Sequence, residues 1–198
     1  MTNQVLPRSC RSVRRGEPRC NAFTLIELIL VVGIIMVLAG LVLTTVGYAR
    51  KKGALARAET EIAAMSAACE NYKADNGVYP SNTDTNNLDP KTGGNPNSPS
   101  YSLTSFYLYT QLSGDTAGNR SPTGKSYMQF KPNMLLPAGG SGTVTAIADP
   151  FGYSYGYSTS NQVDPTHGYN PTFDLWTTCT LINSPPSAAD QNQWIKNW

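Results

Sequence analysis

Asn21-Ala22-Phe23-Thr24-Leu25-Ile26-Glu27-Leu28 opens the apolar run at residues 23–46 (FTLIELILVVGIIMVLAGLVLTTV), which holds one charged side chain, Glu27, and three threonines. At about 1.5 Å per residue a helix over these 24 residues is roughly 36 Å long. A hydrocarbon core is about 30 Å thick, so the run is long enough to cross one. The competing reading is a secretory signal, whose apolar region is only about 7–15 residues and ends at a small-residue cleavage site. Here the run is longer, and it passes without a break into a second helical pattern.

Before the run, residues 1–22 are polar and carry five arginines (Arg8, Arg11, Arg14, Arg15, Arg19) against one acid, Glu17. The rest of the chain has ten basic and twelve acidic residues. A mildly acidic body gives no reason to expect a nucleic-acid partner. A short basic stretch followed at once by an apolar one suits membrane targeting. Charged residues are 14% of the chain, and Gly, Pro, Asn, Ser and Thr are abundant after residue 77. That composition favours a β-rich, loop-rich extracytoplasmic body.

After the run, Leu55, Ala58, Ile62, Met65, Cys69 and Tyr72 recur at steps of three and four, the spacing of one helix face. No proline occurs from Phe23 to Tyr79, so one continuous helix is predicted, half apolar and half amphipathic. Asn76-Gly77, with Pro80 beyond, marks its end. Residues 81–100 read as a turn-rich loop, and 102–112 as a short helix capped by Ser102 or Thr104 and stopped near Gly114. Residues 126–130, 143–147, 153–159 and 173–180 are β-prone runs, separated by turns that include Pro150, Gly152, Pro165, Gly168 and Pro171. The expectation is an α+β fold, with the long N-terminal helix packed on a small C-terminal antiparallel β-sheet.

Glu27 is the physical anomaly, because an ionisable side chain near the end of a membrane helix costs a few kcal/mol to insert. One reading has it reach the headgroup region, one turn from the helix start. The other gives it a partner: cleavage before Phe23 would create an ammonium, which Glu27 of a neighbouring copy could meet in low dielectric, setting the register of stacked helices. Gly33, Gly40 and Gly47 recur every seven residues, and small residues let helices approach closely in lipid. Glycine is also simply common in membrane helices.

Four cysteines are present: Cys10 and Cys20 in the basic leader, Cys69 and Cys179 in the body. Outside the cytoplasm a Cys69–Cys179 disulfide could form, and two unpaired small apolar residues are the other reading. The single histidine, His167, lies in a Pro/Gly-rich loop and reads as a surface residue. No nucleophile-elbow, P-loop or dinucleotide motif occurs, and Gly139-Gly140-Ser141-Gly142 has no Lys-Ser or Lys-Thr after it. The expectation is a non-enzyme.

Ala22-Phe23-Thr24-Leu25-Ile26-Glu27-Leu28 resembles the class III signal of type IV pilins and of type II secretion pseudopilins. The resemblance implies cleavage between Ala22 and Phe23 by a prepilin peptidase, N-methylation of Phe23, and an assembly role for Glu27. This chain has Ala22 where the family usually has glycine, its 22-residue leader is long for the family, and it lacks a proline near Thr44-Thr45 that many relatives carry. Further segments resemble the major pseudopilin of type II secretion: Glu70 to Pro80, Asp149-Pro150-Phe151-Gly152 with Tyr153, Tyr155 and Tyr157, Phe173-Asp174-Leu175-Trp176, and Trp194 to Trp198.

The resemblance implies a removed leader (1–22), a membrane and filament-core helix (23–48) and a pilin-like globular domain in the periplasm (49–198). It also implies a single-pass inner-membrane precursor with the leader inside. The positive-inside bias adds little to that orientation, because Arg50, Lys51, Lys52 and Arg57 follow the helix. The implied partners are copies of the chain in a helical homopolymer, the peptidase, minor pseudopilins and the inner-membrane secretion platform. Relatives often bind calcium in the loop after the Asp-Leu strand; of the acids expected there only Asp190 remains, which makes it the candidate ligand. An adhesion, motility or DNA-uptake pilin is the alternative function, and a membrane-anchored hydrolase or binding module is a third.

Overall fold

The computed structural model of the protein describes residues 23–198; the leader, with Cys10, Cys20 and Ala22, lies outside the described residues. Two compact units are present, one ending at Val46 and the other running Gly47–Trp198. Helix α1 (Leu25–Asn76) is 52 residues long. It ends where the sequence predicts: Gly77 takes a left-handed φ of 79°, and its N–H donates to the Lys73 carbonyl at 2.7 Å. A side chain at that position would carry the steric cost glycine avoids.

In the first unit the large apolar side chains from Phe23 to Val46 are 37–85% exposed. The helix is long and apolar enough to cross a membrane. The Thr45 hydroxyl donates to the Leu41 and Val42 carbonyls at 3.4 and 2.9 Å, so that polar group is satisfied by its own helix.

In the second unit the amphipathic face is buried as its spacing predicts. Ala58, Met65 and Cys69 are fully covered, Ile62 nearly so, and Leu55 and Tyr72 flank them half-buried. Ile62, Met65 and Cys69, with Tyr72 packed against them, join Leu108, Leu112, Ile147, Tyr155, Tyr157 and Leu175 in one core. Polar bonds fasten the same stretch to the body: Tyr155 Oη donates to Glu61 Oε2 at 2.8 Å, Tyr72 Oη to Gln111 Oε1 at 3.0 Å, and Lys125 pairs with Asp75 at 2.5 Å.

The supposed loop at 81–100 contains a short helix, α2 (Thr83–Asn87), whose N-cap Asn82 forms a reciprocal capping box with Thr85. Helix α3 (Pro99–Ser113) starts earlier than predicted, with Ser98 at the N-cap and Pro99 in the first turn, and ends on left-handed Gly114 as expected. The β-prone runs shrink to short strands in two antiparallel sheets. Leu135–Leu136 (β1) pairs with Ala146–Ile147 (β2). Gly156–Ser158 (β3) pairs with Asp174–Thr177 (β4), which also pairs with Ile195–Lys196 (β5). Helices α4 (Ser160–Val163) and α5 (Ala188–Gln191) are single turns between strands. Residues 126–130 form no strand; instead the Tyr127 and Met128 N–H groups both donate to the Leu112 carbonyl, closing the end of α3.

Candidate processing and assembly site

The start of α1 is built by Thr24 and Glu27. Thr24 precedes the first helical residue, and its N–H and hydroxyl both donate to Glu27 Oε2, at 2.9 and 2.8 Å. The Glu27 N–H donates back to Thr24 Oγ1 at 3.3 Å. This is a capping box, in which two orphan N–H groups of the first turn are satisfied reciprocally. Both bonds from Thr24 fall on one carboxylate oxygen; Glu27 Oε1 has no partner among the described residues. Glu27 therefore completes its own helix and, among the described residues, leaves one oxygen without a partner. The reading from the residues alone missed Thr24, although threonine three residues before glutamate at the head of an apolar run is the signature of such a box. Phe23, beside it, is 85% exposed.

Gly33, Gly40 and Gly47 meet nothing within 4 Å of where a Cβ would stand. The stripe is bare among the described residues, which leaves it open to close approach by another helix.

Three residues suggested for a disulfide or for metal binding do otherwise. Cys69 and Cys179 are both free and buried, so the disulfide is not formed. Cys69 is fully enclosed in the core around Tyr157, where burial pushes its thiol pKa well up. Cys179 sits in left-handed backbone (φ 59°) with its Sγ 3.6 Å from the Gln193 carbonyl.

Asp190 is the N3 residue of α5. Its Oδ2 accepts from the Ser187 N–H and hydroxyl at 2.9 and 2.7 Å and from Asn183 Nδ2 at 3.1 Å, and these bonds hold its carboxyl below the usual range. Calcium takes about 6–8 oxygens. Among the described residues no group of three or more His, Cys, Asp or Glu is placed to hold a metal. The residues do not fit the ion.

An aromatic clasp ties down the C-terminal end instead. The Trp176 ring stacks on Trp194 (centroids 6.2 Å, 12°) and meets Trp198 edge-on at 5.9 Å, while its Nε1 donates to Tyr101 Oη at 2.9 Å.

The Asp149 and Asp174 segments are loop organisers. Asp149 Oδ1 accepts from the Phe151 and Tyr153 N–H groups at 2.9 and 2.8 Å, and the Thr177 hydroxyl donates to Oδ2. Asp174 accepts from the Tyr169 and Asn170 N–H groups at 2.8 and 2.9 Å. Burial raises both carboxyl pKa values above the ordinary range, against the pull of those hydrogen bonds. His167 lies in a half-exposed loop, 4.0 Å from Asp164.

No curated protein matches the chain, and no solved structure does. Residues 18–43, which contain Phe23, the Thr24–Glu27 box and most of the apolar run, match the prokaryotic N-terminal methylation motif, so the chain carries a type IV pilin-like prepilin signal at the head of its long helix.

Proposed function

We propose that the protein is a structural subunit of a pilus-like filament, the pseudopilus of a type II secretion system, and not an enzyme. In this reading a prepilin peptidase cuts between Ala22 and Phe23 and methylates the new terminus. The observation that carries it is the methylation motif at 18–43 placed on a helix whose apolar side chains from Phe23 to Val46 are left exposed by the described residues. So large an apolar surface needs lipid before assembly and sister helices after it. Glu27 supports the same reading, because its Oε1, which no described residue engages, could accept from the Phe23 ammonium of another copy. The bare Gly33, Gly40 and Gly47 stripe would let those helices close up. Minor pseudopilins and the inner-membrane platform would be the further partners, with the body in the periplasm.

The deciding experiment is the mass of the mature N-terminus from the native host, which is expected to begin at methylated Phe23. Retention of Met1 to Ala22 on assembled material would overturn the reading. The likeness of the Asp149 and Asp174 segments to major pseudopilins favours the secretion role over adhesion or DNA uptake.

A further inference from the structure

Charge in this chain is unevenly placed in a way the filament reading leaves unused. Residues 47–58 hold Arg50, Lys51, Lys52 and Arg57 and no acid, whereas residues 59–198 hold six basic and eleven acidic side chains. Arg57 is engaged by Glu61 at 2.6 Å. Arg50, Lys51 and Lys52 are exposed, and among the described residues no carboxylate lies within 4.0 Å of any of them. They sit on one turn of α1, four to six residues past Val46, where the apolar run ends. Tyr48, 68% exposed, shares that turn, with Lys52 Nζ 5.9 Å from its ring centroid. Tyrosine prefers the headgroup level of a bilayer, and basic side chains next to a membrane helix are drawn to anionic lipid.

We propose that Tyr48, Arg50, Lys51 and Lys52 form a collar that binds anionic phospholipid headgroups where α1 leaves the bilayer on the side away from the leader. The inference rests on the membrane reading of α1. The commitment to lipid follows from complementarity: three cations that no carboxylate among the described residues approaches within 4.0 Å stand directly after the apolar run, while the body beyond them is net acidic and gains nothing from an anionic surface. The collar holds the unassembled subunit at a fixed depth, and extraction into a filament has to break it.

The test uses the full chain reconstituted in vesicles of equimolar phosphatidylcholine and phosphatidylglycerol, with spin-labelled forms of each lipid reporting which is immobilised at the protein. The parent is expected to prefer the anionic label by roughly fivefold or more, the effect of about one interfacial charge, and to lose the preference at high salt. The variant R50Q/K51Q/K52Q keeps the leader and the helix, and its preference should fall by at least that factor. The variant R50K/K51R/K52R should retain it. Equal preference in the parent and the Gln variant overturns the proposal, and loss of self-assembly in that variant with lipid preference unchanged assigns the cations to a second copy instead. A chain that never enters the vesicles overturns the membrane reading itself, whereas one that enters without lipid preference overturns only the collar.

Discussion

Thr24 and Glu27 make the first turn of α1 self-sufficient, which changes what a substitution at Glu27 measures. Alanine removes both a cap, worth about 1 kcal/mol, and a charge. Glutamine keeps a carbonyl oxygen for the Thr24 N–H and removes only the charge. Glu27→Gln is therefore expected to insert normally, yet to co-assemble with the parent chain roughly tenfold less or worse, because an ion pair in low dielectric loses one member. Crosslinking between copies in mixed membranes reads this out, and parental yield for the glutamine variant would mean the carboxylate only caps. Asp149 gives a second residue-scale expectation. Its folded pKa is raised by burial, so the folded state binds the proton more tightly than the unfolded chain. Stability from this group is full below the unfolded pKa, near 3.8, and is lost as pH rises through the raised folded value. Asp149→Asn can keep the turn bonds to Phe151 and Tyr153 and does not titrate. Melting curves should place it within about 1 kcal/mol of the parent at neutral pH, with the balance shifting toward the parent as the medium is acidified.

At the scale of elements, the β3–β4 pairing depends on a missing side chain. Gly156 lies opposite Trp176, and a Cβ there would overlap the indole ring. The ring cannot retreat, since it is fully buried, bonded to Tyr101 and stacked on Trp194. Gly156→Ala should cost about 3 kcal/mol or more by overpacking. Gly53→Ala is the control: it lies inside α1 with open space around it, and should be neutral or stabilising by up to about 1 kcal/mol. Denaturant unfolding of the two variants in detergent checks the contrast, and equal effects would remove the Trp176 argument. The face running from Leu55 to Tyr72 was legible in advance because a helix repeats its burial every three or four residues. The strands were not. They are two to four residues long, too short to show alternation, and the pairing of Ile195–Lys196 with Thr177 and Trp176 is decided by chain segments far apart in sequence.

For the whole molecule, the C-terminal end is held by the aromatic clasp, and no group of three or more His, Cys, Asp or Glu among the described residues is placed to hold a metal. The melting temperature is expected to be the same in excess calcium and in chelator, because only an ion that binds the folded state shifts it. A calcium-dependent rise of several degrees would restore the metal reading that the bonding of Asp190 argues against. What the sequence determined by itself is the local physics: an apolar run of bilayer length, an amphipathic face after it, a glycine stop at Gly77, and the prepilin signal around Phe23 and Glu27. Each depends on neighbours within a few residues, so each can be read in order along the chain. Only the tertiary structure decided that Cys69 and Cys179 stay apart as buried thiols, that Asp190 caps a helix turn, that Asp149 and Asp174 organise loops, and that two sheets form instead of one. Those outcomes turn on which distant groups reach one another once the core closes, and spacing along the chain carries no record of that.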